Sequence, residues 1–126
     1  MTSDLPDSSM KIASKQKRYN PNMEFKDDFD YRFDWDDDKA NINLVKHKVS
    51  FDEGKTIFKD PFLITFPDEQ HSDEEERLIS IGTSINERLL LVVHLEKLET
   101  LNSVVICIIS CRKATSSERR IYEESE

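Results

Sequence analysis

The chain is poor in the residues that build specialised local chemistry. Gly54 and Gly82 are its only two glycines in 126 residues, so it has no Gly-rich loop of the kind that wraps phosphates with backbone N–H groups. Its two cysteines, Cys107 and Cys111, fall four apart in a predicted strand. At about 3.3 Å per residue that separates them by about 13 Å, beyond disulfide reach, and reduced thiols in or near a core are expected. No apolar run approaches the roughly 20 residues of a membrane span, and the amino terminus lacks the charged-then-apolar pattern of a secretory signal. A cytoplasmic protein without a membrane partner is therefore expected. His47, His71 and His94 lack the close ligand spacing of zinc sites, so no metal or cofactor is expected. Positive charge is also scarce, with 18 Lys and Arg against 26 Asp and Glu, a net charge of -8. That balance argues against indiscriminate binding to nucleic acid, whose affinity comes largely from phosphate neutralisation.

The charge is unevenly spread. Asp36-Asp37-Asp38 and Asp73-Glu74-Glu75-Glu76 read as a solvated helix cap and a solvated loop, while the last stretch, from Ile109 to Glu123, runs an apolar strand into a cation-bearing helix. Thr115 followed three residues later by Glu118 is a capping box, which writes the start of that helix into the sequence. Arg112 and Lys113 stand at the strand exit, and Arg119 and Arg120 stand in the first two turns, near the positive end of the helix dipole. Cations gathered where local electrostatics disfavours them suggest an anionic ligand, RNA first among candidates; a solvated basic helix face is the plainer alternative.

With 37% hydrophobic and 35% charged residues, the length allows one domain with a modest core. Residues 1–30 hold few aliphatics and no sustained period, and are expected to be a flexible arm; residues 31–126 form the folded domain. Tyr31 to Trp35 alternates as a short half-buried strand. Asp36 caps a helix running through Lys48, with Ala40, Leu44 and His47 at helical spacing and Ile42 and Val45 beside them. Ser50 and Glu53 read as a second capping box, opening a short helix that buries Phe51, Ile57 and Phe58 and ends at Asp60-Pro61. Strands follow at 62–66, 77–83, 88–95 and 104–112, with polar turns at 84–87 and 96–103. Short links imply antiparallel neighbours, and the doubly apolar runs 89–93 and 104–109 imply central strands covered on both faces. The expected class is α+β: two N-terminal helices, an antiparallel sheet of about four to five strands and a C-terminal helix.

Several segments read together carry a resemblance: Phe33-Asp34-Trp35-Asp36, Lys46 through Glu53, Asp60-Pro61, Phe66-Pro67-Asp68, His71-Ser72, Glu76 through Gly82, Leu91-Val92-Val93-His94 and Ser110 through Glu123. Over about residues 33–124 the chain resembles the BrnT family, toxins of bacterial type II toxin-antitoxin pairs with a RelE-like ribonuclease fold. The resemblance implies an RNA-cleaving toxin held inactive by a BrnA-type antitoxin that also represses the shared operon. A non-catalytic antitoxin-binding subunit acting in operon autoregulation is the alternative.

Metal-independent RNA cleavage needs a base for the 2′-OH, an acid for the 5′-oxygen and cations on the phosphate. His47, Arg77 and Arg112 are the expected catalytic residues. Arg112 is the strongest of them, since a guanidinium leaving a central strand is held by rigid backbone and its planar fork suits phosphate oxygens. Arg77 carries over from the family-like stretch before Ile-x-x-Gly as a phosphate stabiliser, with a surface ion pair to Glu75 or Glu76 as its alternative. His47 has helix-carbonyl capping as its alternative role. Lys46, His94, Lys113, Arg119, Arg120 and Tyr122 are the expected RNA contacts. His94 shares a strand face with Leu90 and Val92, which leaves a core role open, and Tyr122 either stacks on a base or packs on the sheet. In the family-like pattern Lys48 stands at a glycine position, where a left-handed helix end would strain a residue bearing a Cβ.

Overall fold

The computed structural model describes residues 30–71 and 76–125. The arm expected at residues 1–30 lies, but for Asp30, outside them. Strand β1 (Asp30–Asp34) is followed by helix α1 (Asp37–His47), a short helix α2 (Phe51–Gly54) continued by a 3-10 segment (Lys55–Lys59), strands β2 (Ile64–Pro67), β3 (Leu78–Thr83), β4 (Leu89–Thr100) and β5 (Ser103–Lys113), and helix α3 (Ser116–Glu124). The α+β class holds, with two corrections. A strand precedes the helices, and the sheet, ordered β1-β5-β4-β3-β2, is mixed, because β1 runs parallel to β5 while the other pairs are antiparallel. Short links fix the neighbours they join, but β1 and β5 are joined by most of the chain, and no turn dictates their direction.

Local signals place the helices. Asp36 accepts hydrogen bonds from the N–H groups of Asp38 (2.8 Å) and Lys39 (3.3 Å), capping α1. Lys48 ends it in the left-handed region (φ 62°), its N–H bonded to the Leu44 carbonyl. Ser50 caps α2 through the Glu53 N–H at 3.0 Å, but the expected reciprocal box is absent because the Glu53 carboxylate turns to Arg88 and Ser84 instead. The polar turn expected over residues 96–103 is instead strand on both sides of a tip at Leu101-Asn102, so β4 and β5 form a ribbon that runs past the end of β3 and is flanked by β1 up to the tip.

The sheet is covered on both faces. Over one, Phe51 and Ile57 bury fully against Leu90, Val92, Ile106 and Cys111, each such side chain stabilising the fold by about 1.5–3 kcal/mol. The close approach uses both glycines: a Cβ at Gly82 would lie 3.2 Å from the Ile57 carbonyl, and one at Gly54 2.8 Å from the Cys111 sulfur. Over the other face, α3 packs Tyr122 against Ile81, Leu89 and Leu91. The face that α1 buries is only partly the expected one, since Ala40 and His47 turn inward but Asn43 takes the place expected of Leu44. Ile42 and Val45 are 64% and 73% exposed and Leu44 is exposed as well, while Asn43 is 5% exposed.

Candidate nucleic-acid site at the exit of β5

Two features of β5 decide which side chains meet at its end. The first is a bulge. Val93 pairs with Ser110 and His94 with Ile108, leaving Ile109 extra. Val104, Ile106 and Ile108 face α1 and α2, but after the extra residue it is Cys111 that faces them. Arg112 is thereby turned to the α3 face, because one inserted residue reverses the alternation.

The second is an asparagine standing in for a strand. β1 ends at Asp34, opposite Cys107, and beyond it the side of β5 away from β4 has no strand partner among the described residues. The N–H and C=O of one strand residue point the same way. At Cys111 both are taken by Asn43: its Oδ1 accepts from the Cys111 N–H at 3.1 Å, and its Nδ2 donates to the Cys111 carbonyl at 2.8 Å and to the Val49 carbonyl at 3.0 Å. The basic end of α1, Lys46-His47-Lys48, lies one turn beyond this anchor, and Arg112 and Lys113 directly follow Cys111. Arg88 joins the same end: it forms a bidentate pair with the buried Glu53, and its guanidinium donates to the Lys48 carbonyl at 3.4 Å. The Arg88 hydrogen bonds, followed by that of Ser84, hold the Glu53 carboxyl below its ordinary range against the opposing effect of burial. Burial first, then the charge of Glu53, pushes the Cys111 thiol up to about 12.

Arg112 is half-buried and engaged. Its two terminal nitrogens donate to the two Glu118 oxygens at 2.8 and 2.9 Å, while the same carboxylate accepts from the Thr115 N–H at 2.8 Å and completes the capping box with the Glu118 N–H on Thr115 Oγ1. The pair raises the Arg112 pKa and lowers that of Glu118, in each case chiefly through the shared hydrogen bonds. Lys46, Lys113, Arg119 and Arg120 are exposed around this end, and His47 is half-buried. Arg119 lies 3.8 Å from Glu123.

Three expected site residues are placed elsewhere. Arg112 is in register with Leu91 and Leu91 with Ile81, so Arg77, four residues from Ile81, stands about 13 Å along the strands and about 10 Å across them from Arg112. Of the expected catalytic residues, Arg77 is thus set apart from Arg112, and Arg112 faces α3 while α1, which bears His47, packs toward the other face; of the expected ion-pair partners of Arg77, Glu75 lies outside the described residues. His94 is fully buried on the opposite face, its Nε2 2.7 Å from Ser80 Oγ and its ring edge-on to Phe58 at 5.0 Å, so the expected RNA contact is corrected to a core role. Tyr122 is buried too, its hydroxyl donating to Asp60 at 2.6 Å, which corrects base stacking to sheet packing. Sequence reasoning missed Asn43, although its helical spacing from Ala40 and His47 marks one face. Among the described residues no group of His, Cys, Asp and Glu side chains gathers to hold a metal ion, and no helix is long and apolar enough to cross a membrane.

The arrangement is a small α+β domain with a cation-rich end built from helix and strand termini. The model of the type II toxin-antitoxin ribonuclease toxin family, BrnT, matches residues 35–118, and the chain belongs to that family. The crystal structure of the Brucella abortus ribonuclease toxin BrnT is 20% identical to this chain and covers 69% of it and 99% of its own length, with a TM-score of 0.49. A comparison with curated proteins found no match.

Proposed function

We propose that the chain is a metal-independent endoribonuclease of RelE-like type, acting in the cytoplasm and neutralised by a BrnA-type DNA-binding antitoxin, with its centre at the exit of β5. The observation that carries this reading is the Asn43–Cys111 anchor, which ties the helix end bearing His47 to the strand end bearing Arg112. The Arg112 fork takes two oxygens of the scissile phosphate and stabilises the charge that builds as the 2′-oxygen attacks. The bond from the 2′-oxygen to phosphorus forms, the bond to the 5′-oxygen breaks, and the His47 imidazole serves in the accompanying proton transfer. Products with a 2′,3′-cyclic phosphate and a 5′-hydroxyl follow. Lys46, Lys113, Arg119 and Arg120 hold the RNA backbone, and Arg77 meets a phosphate further along the strand of RNA.

Induced expression with and without the antitoxin, followed by mapping of RNA ends, tests this. Arg112→Ala should abolish growth arrest and cleavage while leaving antitoxin binding intact. Equal toxicity of the variant and the wild type would overturn the reading.

A further inference from the structure

The fork assigned to phosphate is already filled. The two Arg112 terminal nitrogens donate to one Glu118 oxygen each, the geometry an RNA phosphate would need. Glu118 is only partly exposed and is held in place by the cap of α3, so its carboxylate is aimed by backbone and not by chance. Arg119 and Arg120 follow Glu118 along α3, exposed and on other sides of the helix, and Lys113 follows Arg112, so Arg112 is the cation on which this carboxylate is aimed. Arg112 also donates to the Lys113 carbonyl at 3.2 Å, a bond that keeps the guanidinium in position when Glu118 leaves.

We propose that Glu118 is an internal stand-in for the RNA phosphate, a carboxylate that occupies Arg112 in the free protein and must swing away for RNA to bind. This rests on the placement of the RNA site at Arg112. The two anions compete for one fork, so RNA affinity is set by the difference between two charge-assisted pairs and not by Arg112 alone. Glu118 is a positioning residue, acting on RNA only through Arg112.

The test is the affinity of the full chain for a short fluorescent 2′-O-methyl RNA oligonucleotide, which lacks the attacking hydroxyl, measured by anisotropy. Glu118→Gln keeps a side-chain acceptor for the Thr115 N–H but removes the charge. It should bind about tenfold tighter, as expected when a competing charge-assisted pair is lost. The gain should vanish in the Arg112→Ala background, where there is no fork to free. Glu123→Gln, which removes the same charge from the same helix, should give a much smaller gain, and Thr115→Ala, which weakens the cap alone, should give none. Circular dichroism checks that α3 persists. If Glu118→Gln loses the helix, Glu118→Asp replaces it, keeping the charge but standing one methylene short of the bidentate pair, and a smaller gain is expected. Arg112→Ala losing affinity while the Glu118 variants gain none overturns this inference and spares the proposed function. No change in RNA binding in Arg112→Ala overturns both.

Discussion

Asn43→Ala should be the most informative single change outside the cationic residues. Asn43 satisfies three backbone groups, the Cys111 N–H, the Cys111 carbonyl and the Val49 carbonyl, from a nearly buried position. Alanine leaves all three without these partners where water has little access. One unsatisfied buried group costs about 1–3 kcal/mol, and partial relaxation keeps the sum below the simple total, so a loss of about 3 kcal/mol is expected. For a domain of this size that lowers Tm by roughly 12 °C or more. Urea unfolding followed by circular dichroism gives the free energy, with an unchanged m-value showing that the two-state comparison is sound. Cleavage assayed well below the new Tm should also fall, because His47 and Arg112 lose their common anchor. A stability loss under about 1 kcal/mol, with cleavage at the wild-type rate, would show that Asn43 neither replaces a strand at β5 nor positions the site.

Lys48→Gly should stabilise the protein by about 1 kcal/mol by relieving a left-handed backbone on a residue with a Cβ, read as a higher urea midpoint. Gly82→Ala should destabilise by about 1–3 kcal/mol, since the Ile57 carbonyl that the new methyl meets is backbone and cannot turn aside. The Glu53 carboxyl titrates below its ordinary value in the folded state, so its contribution is complete above the unfolded carboxylate pKa of about 4.3 and is lost as pH falls through the lower folded value. Unfolding free energies measured from about pH 6 to pH 3 should therefore fall more steeply for the wild type than for Glu53→Gln; parallel curves would contradict the assignment. With its pKa pushed up to about 12, the Cys111 thiol should react with a thiol reagent far more slowly than Cys107, and equal labelling rates would refute its burial.

Much of this protein was legible along the chain. The caps at Asp36, Ser50 and Thr115, the strand runs and the terminal helix follow from local hydrogen-bonding needs and apolar period, which involve residues a few positions apart. The cations at the exit of β5 were visible for the same reason, as was the left-handed strain at Lys48. What failed depended on partners far away. Ala40, Leu44 and His47, with Ile42 and Val45 beside them, suggested the buried face of α1, and Ala40 and His47 do turn inward, yet it is Asn43 and not Leu44 that is buried between them, because β5 outruns β1 and leaves an N–H and a carbonyl that only an amide can satisfy together. His94 and Tyr122 looked able to meet RNA, yet each closes a hydrogen bond inside the fold, to Ser80 and to Asp60.

The sequence alone determined which segments become helices and strands and where positive charge accumulates, because those follow from neighbours along the chain. The tertiary structure decided which face each charge occupies and what already sits on it. The extra residue at Ile109 turns Arg112 toward α3, and α3 brings Glu118 into its fork. Strand register and the docking of a helix are set by packing across the whole sheet, which no local pattern encodes.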